Sequence, residues 1–211
     1  KAIQDGQFAE ASTFFQKAIK IYPGWGLAYL QLAKAYQNFH PEGPKVLDAL
    51  KRSIVLSPEN PRAHLELGIL YRAAGDCTRA TKSFQKALKL RPSLRLARFE
   101  QGLCYEAQAK DNQAIETFEQ IVQGNARHLG SWAALSRLYE KKGALAKAEN
   151  AHEIMIQLHP KVAFYRFELA KFYQRIGNSQ KAKAVLETTN KISPRRHRKM
   201  RELPQSRDQK K

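Results

Sequence analysis

Cysteine is scarce in this sequence, and Cys77 and Cys104 are its two examples, with no CxxC pair between them. Two thiols are too few for a disulfide framework or a structural zinc site. We therefore expect small buried thiols in a reducing compartment. No apolar run approaches the roughly 18 residues of a membrane span, and no signal peptide is visible. These features lead us to expect a cytoplasmic protein.

Acidic residues are also few, because 19 Asp and Glu stand against 37 Lys and Arg, for a net charge of +18. Such a charge favours acidic partners, namely nucleic acid, anionic lipid or acidic peptide, but it does not indicate a fold. The C-terminal segment 195–211 alone holds eight basic residues against two acids. We predict a disordered basic tail there. Its first basic residues are Arg195, Arg196, Arg198, Lys199 and Arg201.

Motifs that carry catalysis are missing. The stretch HEIMIQLH at 152–159 begins like the zinc motif HExxH, but the fourth residue after His152 is Ile156. The sequence contains no GxxxxGK[ST], no GxGxxG and no GxSxG. The other histidines are scattered, with no Cys or Asp at ligand spacing. We therefore predict a protein that is no enzyme and has no cofactor, no metal and no small-molecule substrate.

The sequence does contain a strict internal period of 34 residues. Tyr71, Tyr105, Tyr139 and Tyr173 are each 34 residues apart. The same step links Gly75, Ala109, Gly143 and Gly177, and also Ala80, Ala114, Ala148 and Ala182. From 61 to 194 this register holds without an insertion or a deletion, which indicates a repeat protein.

Each repeat is predicted to form two amphipathic helices. Apolar residues lie at helical spacing in 61–74 and again in 77–91. Gly75 and Asp76 mark the turn between the helices, and Pro92 ends the second helix. Small residues mark where two helices cross closely. A unit of this size cannot bury both helices alone, so neighbouring units must stack into a solenoid.

This pattern resembles the tetratricopeptide repeat, a helix–turn–helix with W-x2-L-G-x2-Y followed by G, A, F, A and P. One unit carries the pattern as Leu67, Gly68, Tyr71, Gly75, Ala80, Phe84, Ala87 and Pro92, and another carries Trp132, Leu135, Ser136, Tyr139, Gly143, Ala148 and Pro160. The resemblance implies an all-α, right-handed superhelical solenoid.

Repeat boundaries follow from the register. We predict a partial repeat at 1–25, mainly its second helix, which is either cut from a longer chain or covered by an upstream segment. Full repeats are expected at 26–60, 61–94, 95–128, 129–162 and 163–194. The repeat at 26–60 has one extra residue in its turn, NFHPEGP.

The resemblance also implies a concave groove, lined by the first helices, that binds a peptide or a helix. Groove positions five, six and nine predict a site that includes an apolar stripe and several charges. Its residues are Leu30, Lys34, Leu65, Glu66, Ile69, Phe99, Glu100, Leu103, Arg137, Phe167, Glu168 and Lys171. Some of the apolar residues could pack on neighbouring helices instead. If they are exposed, the expected ligand is an amphipathic helix or an extended segment that carries some Lys or Arg.

Two functions remain open at this point. The first is a non-catalytic scaffold or adaptor that binds another protein in the groove and helps to assemble a complex. The alternative is RNA, other nucleic acid or an anionic membrane surface bound by the basic tail and the convex face, which holds Lys82, Lys86, Lys89 and Arg91. Self-association through the incompletely capped ends is a further expectation.

Overall fold

The computed structural model describes residues 2–39 and 43–192. The predicted basic tail and residues 40–42 of the longer turn lie outside this part of the chain. Within it the regular secondary structure consists of eleven α-helices. They are α1 (Ala2–Ile21), α2 (Gly26–Phe39), α3 (Gly43–Leu56), α4 (Pro61–Ala73), α5 (Cys77–Leu90), α6 (Arg95–Ala107), α7 (Asp111–Gly124), α8 (Leu129–Lys141), α9 (Leu145–Leu158), α10 (Ala163–Arg175) and α11 (Ser179–Ile192).

The helices follow one another as antiparallel pairs, as the all-α repeat prediction requires. From α2 onward each pair consists of a first helix of 13 or 14 residues and a second helix of 14 residues. The chain divides into two compact units, Lys1–Thr117 and Phe118–Lys211, called unit 1 and unit 2 below.

The turn inside a pair uses a left-handed backbone residue. Gly75, Gly143 and Gly177 have φ angles of +80°, +72° and +78°, a region in which glycine has no steric penalty. Ala109 stands at the same register and also has a positive φ, +56°. Each of these residues is followed by an N–H that donates to the carbonyl of the tyrosine five residues earlier, which closes the helix end. The 34-residue period of Tyr and Gly therefore marks a repeated turn.

The two helices of the pair α4–α5 cross over a glycine. A Cβ placed on Gly68 would lie 2.4 Å from the Phe84 ring, which is fully buried. The absence of a side chain at Gly68 therefore allows the ring to fill the crossing. Ala80 and Ala87 lie in the same core cluster as this ring.

One recurring hydrogen bond ties the first helices α4, α6, α8 and α10 to the turns before them. In each case the side chain of the fourth residue of the repeat donates to the backbone carbonyl six residues earlier. The donor–acceptor distances lie between 2.5 and 3.0 Å. Four different pairs make this bond: His64 with Pro58, Arg98 with Pro92, Trp132 with Ala126 and Arg166 with Pro160. Each accepting carbonyl lies in the turn, two residues after the end of a second helix, so the bond links that turn to the next helix pair.

Each unit has its own buried core. In unit 1, one cluster forms around Leu30, Val46 and Leu50, and another around Leu65 and Phe84. In unit 2 the buried side chains include Leu135, Leu138, Met155, Phe167 and Phe172.

Candidate functional site

The apolar surface of unit 1 that fits a binding site lies on helices α4 and α6. Leu96, Phe99 and Leu103 are spaced three and four residues apart, so they share one face of α6. Leu96 is 49% exposed, and Phe99 and Leu103 are half-buried. Ile69 on α4 is also half-buried and packs against the core cluster of Leu65. We name Ile69, Leu96, Phe99 and Leu103 the α4–α6 face.

An ion pair fixes the two helices beside this face. Arg72 on α4 pairs with Glu100 on α6, and the Glu100 side chain is only 11% exposed. A nearly buried carboxylate needs such a partner, because an unpaired buried charge is costly. Arg72 follows Ile69 by three residues, and Glu100 is adjacent to Phe99. The pair therefore sets the spacing of the two helices that carry the α4–α6 face.

A second carboxylate lies on the same helix as Ile69. Burial raises the pKa of Glu66 above its usual value, and the positive charge of Lys34 on α2 partly offsets that rise. The Glu66 carboxylate is thus poorly solvated. A cation from a ligand would stabilise it.

Of the two alternatives left open for the apolar groove residues, packing on neighbouring helices holds for Leu30, Leu65 and Phe167, which are 1%, 5% and 4% exposed. Leu30 and Leu65 lie inside the core clusters because alanines of the neighbouring helices let those helices close over them. Ala49 and Ala63 have this role at Leu30. These residues at the fifth position of their repeats are part of the core, so they offer little surface to a ligand.

Phe167 is buried because α10 is covered on two sides. Ala163, Phe167 and Ala170 form one buried stripe of α10 at helical spacing. Leu169, Phe172 and Tyr173 form another. A helix that buries both stripes leaves no apolar floor at its fifth position.

At the ninth position of the repeat, unit 2 carries Arg137 and Lys171 where α4 and α6 carry Ile69 and Leu103. Arg175 on α10 makes two hydrogen bonds to Glu140 on α8, at 2.6 and 2.8 Å. The hydrogen bond from Arg175 holds the pKa of Glu140 below its usual value. Lys171 pairs with Glu168 at 2.9 Å within α10. Arg137 is exposed, and its guanidinium donates to the Ala133 carbonyl. The exposed residues of the predicted site that lie in unit 2 therefore form ionic and polar contacts.

Two tyrosines of the repeat form buried polar contacts that the sequence pattern did not assign. The Tyr139 hydroxyl donates to Glu119 at 2.5 Å, and the Tyr173 hydroxyl donates to Glu149 at 2.6 Å. Lys181 also pairs with Glu149 and lies over the Tyr173 ring. Burial raises the pKa of both phenols, and the neighbouring carboxylates add to that rise. The strict Tyr period was the signal for a structural role.

No group of three or more His, Cys, Asp or Glu side chains within the described ranges is arranged to hold a metal ion. His152 lies in the core beside the Phe172 ring, 5.4 Å between ring centroids. Cys104 is buried, and burial raises the pKa of its thiol to about 12. Cys77 is half-buried and packs against the same cluster. Both thiols are free.

Sequence reasoning missed the second position of the first helices. Leu27, Leu96 and Phe164 all stand there, and all three are exposed. The available signal was spacing, because this position precedes the fifth by three residues and so lies on the same helix face. The side chains of Lys82, Lys86, Lys89 and Arg91, which were predicted to lie on the convex face, are exposed. The predicted tail residues lie outside the described part of the chain.

The helix pairs, the left-handed turn residue and the close crossings define a tetratricopeptide-like repeat protein. Residues 48–159 match the model of the Cilia and flagella-associated protein 70 middle TPR-like domain. This match spans more than half of the 211 residues. The chain belongs to this family.

A curated relative is similar over most of the chain. Cellulose synthase operon protein C of Xanthomonas axonopodis pv. citri (strain 306) is 28% identical over 200 residues, which cover 88% of this chain. The match covers only 13% of that protein's length.

Several solved structures share the fold. PilW, described as a widely conserved type IV pilus biogenesis factor, has a TM-score of 0.74 at 18% identity and covers 91% of this chain and 89% of its own. MamA 41-end from Desulfovibrio magneticus RS-1 has a TM-score of 0.72 at 20% identity, over 80% and 95%. YrrB, described as a TPR protein with an unusual peptide-binding site, has a TM-score of 0.70 at 18% identity, over 85% and 92%. At these identities the likeness shows the fold.

Repeat proteins of this class generally bind other proteins and are generally non-catalytic. Among residues 2–39 and 43–192, no helix combines the length and the apolar character needed to cross a membrane.

Proposed function

We propose that this chain is a non-catalytic interaction module that binds an amphipathic peptide or helix on the α4–α6 face and so helps to assemble a multiprotein complex. One observation carries the proposal. Leu96, Phe99 and Leu103 form a partly exposed apolar row on a first helix whose position is fixed by a nearly buried ion pair. A rigid apolar row presented in this way suits helix-in-groove recognition.

The charges beside this row define the ligand further. Glu66 is a carboxylate whose pKa is raised by burial, so it gains most from a cationic partner. The ligand is therefore expected to place apolar side chains at i, i+3 or i+4 against Phe99 and Leu103, and a Lys or Arg near Glu66. Large apolar side chains of the ligand would supply most of the binding energy.

The likeness to YrrB supports this choice of ligand class, since that protein is described as having a peptide-binding site. The α4–α6 face also lies within the residues that match the family model.

The test is selection from a displayed library of random peptides, followed by calorimetric titration of the enriched peptides. Enriched sequences should share an apolar pair at helical spacing and at least one basic residue. Leu103→Arg should raise the Kd by at least about tenfold, because a charge would replace an apolar contact of the face.

Leu145→Arg is the matched control. Leu145 is an exposed leucine at the start of α9 in unit 2 and is not one of the residues of this face. Its replacement should leave the Kd unchanged. A library that yields no enriched peptide, or peptides held equally by Leu103→Arg and the original chain, would contradict the proposal. Far-UV circular dichroism and urea midpoints should confirm that both variants fold.

A further inference from the structure

Exposed apolar side chains are concentrated at one corner of unit 1. Eleven large apolar side chains are exposed among the described residues, and six of them are at this corner. They are Ile21, Tyr22, Trp25, Leu27, Val55 and Leu56. We name these six residues the apolar corner.

The corner is formed where the α1–α2 turn meets the end of α3. A Cβ placed on Gly26 would lie 3.1 Å from the Leu56 Cβ, so the two segments are in close contact. The turn itself surrounds a shallow surface cavity of about 600 Å³, lined by residues 21–25. Ile21, Tyr22 and Val55 are 69%, 66% and 73% exposed, so their side chains project into solvent. A solvent-exposed apolar patch of this kind indicates an interaction surface.

Basic residues on helices α1 and α3 lie close in sequence to the apolar corner. Lys17 precedes Ile21 by four residues on α1, and Lys51 and Arg52 precede Val55 by four and three on α3. Each of these three basic residues therefore lies about one helical turn, roughly 5.4 Å along the helix axis, from an exposed apolar residue on the same helix face. Lys20 is adjacent to Ile21 in sequence and adds a fourth positive charge. We name Lys17, Lys20, Lys51 and Arg52 the basic collar.

The collar is available for an external anion. Its four side chains are exposed, and none makes an ion pair with any described residue. Two exposed acids, Asp48 and Glu59, lie nearby in sequence, so the collar keeps a positive balance. Helix α5 extends the positive charge in the next pair, where Lys86 and Lys89 occupy the register of Lys17 and Lys20. No acidic residue occurs in α5.

We propose that the apolar corner of unit 1 docks this chain on the surface of a lipid bilayer that contains anionic lipid. Apolar and aromatic side chains with a collar of Lys and Arg about one helical turn away match the depth of the acyl boundary below the headgroup phosphates. Trp and Tyr prefer this interface, and clustered basic residues bind anionic leaflets. The aliphatic side chains decide against single-stranded RNA, because Ile21, Val55 and Leu56 have no ring on which a base could stack.

The experiment is vesicle flotation of the full chain with two compositions, phosphatidylcholine alone and phosphatidylcholine with about 30% phosphatidylserine, a leaflet-like anionic content. The chain should float with the anionic vesicles and stay behind with the neutral ones. Its tryptophan emission should shift to shorter wavelength on binding. Trp132→Phe, which changes the other tryptophan of the chain, should leave most of that shift in place, and this would assign the shift to Trp25 of the corner.

Two variants test the two parts of the surface. Tyr22→Ser, Trp25→Ser and Val55→Ser together should lower the vesicle-bound fraction by at least about tenfold, and replacement of the four collar residues by Gln should do the same. Val162→Ser with Phe164→Ser is the matched control, because these residues are exposed and apolar but belong to unit 2 and not to the corner. All the replaced residues are exposed, so the variants should fold, as circular dichroism would show.

The basic tail needs its own arm, since it too could attract anionic vesicles. A chain with Arg195, Arg196, Arg198, Lys199 and Arg201 replaced by Gln should keep the emission shift and the dependence on the corner. The proposal is overturned if flotation depends on the tail alone, or if the corner variant floats like the original chain. It is equally overturned if the chain does not float with anionic vesicles. A corner variant that then disrupts a dimer, or loses binding to single-stranded RNA, would show that the corner has that other partner.

Discussion

Units 1 and 2 use one repeat template for different purposes. Phe99 and Phe167 are the same residue at the same register, yet Phe99 is half-buried on a partly exposed face and Phe167 is in the core. An ion pair joins first helices in both units, Arg72–Glu100 in unit 1 and Glu140–Arg175 in unit 2. In unit 1 an apolar row lies beside that pair, whereas the ninth position carries Arg137 and Lys171 in unit 2. The difference shows that repeat register fixes where a side chain points, while the neighbouring helices decide whether a ligand can reach it.

The largest expected effect breaks this comparison directly. Phe167→Arg should lower the free energy of unfolding by at least about 4 kcal/mol, because it buries an unpaired charge in the core of unit 2. Phe99→Arg should cost at most about 2 kcal/mol, because a long side chain at this position can extend its charge into solvent. Urea unfolding followed by far-UV circular dichroism would measure both. Equal losses would show that the two phenylalanines share one environment.

The helix crossings offer a sharper test of moderate size. Gly68→Ala should cost about 1–3 kcal/mol, because the new Cβ meets the Phe84 ring. Unit 2 has Ala170 and Leu186 at the equivalent positions. Gly68→Ala should therefore cost less in a Phe84→Leu background, where the ring is gone. A double-mutant cycle in urea should give a favourable coupling of about 1 kcal/mol. Strict additivity would mean that the ring does not limit this crossing.

A smaller, pH-dependent effect is expected in unit 2. Burial lowers the pKa of His152 below 6.5, while Glu140 and Glu168 act to raise it and Arg175 acts to lower it further. The unfolded chain therefore binds this proton more readily than the folded chain. The free energy of unfolding should consequently fall as the pH drops from 7 through 6.5 towards 5.

His152→Leu isolates this contribution, because it removes the proton and keeps an apolar side chain in the core. Urea unfolding at several pH values should show a shallower loss of stability below pH 6.5 in this variant than in the original chain. His159→Gln is the control, since His159 is exposed and belongs to the same unit. If the original chain and His152→Leu lost stability in parallel, the buried imidazole would not be the cause.

Most of the fold could be predicted from the sequence, because the repeat is recorded in residues whose role is local. Tyr71 and Gly75 mark a helix end and a left-handed turn, and these depend only on the nearest few residues. Even Ala109, which departs from the glycine pattern, adopts the same turn. Local geometry repeated at a fixed period therefore identified the helix pairs and their class.

The site was less predictable, because exposure depends on residues far away in sequence. Leu65 and Phe99 look alike in register, but the core cluster of Phe84 and Ala97 encloses Leu65. The second position, which provides Leu96, was missed because its exposure follows from the same packing. The apolar corner was missed for another reason, since its two halves, the α1–α2 turn and the end of α3, are adjacent only in the folded chain.

The hydrogen bond to the preceding turn has a consequence for how such repeats diverge. His64, Arg98, Trp132 and Arg166 make the same bond through an imidazole, an indole or a guanidinium. This position requires an N–H donor on a side chain long enough to reach the turn, but it does not require a particular residue type. Alignments that score this site by tryptophan will underestimate kinship. Repeats could therefore be exchanged between relatives with little shared sequence, provided that each brings a donor of suitable length.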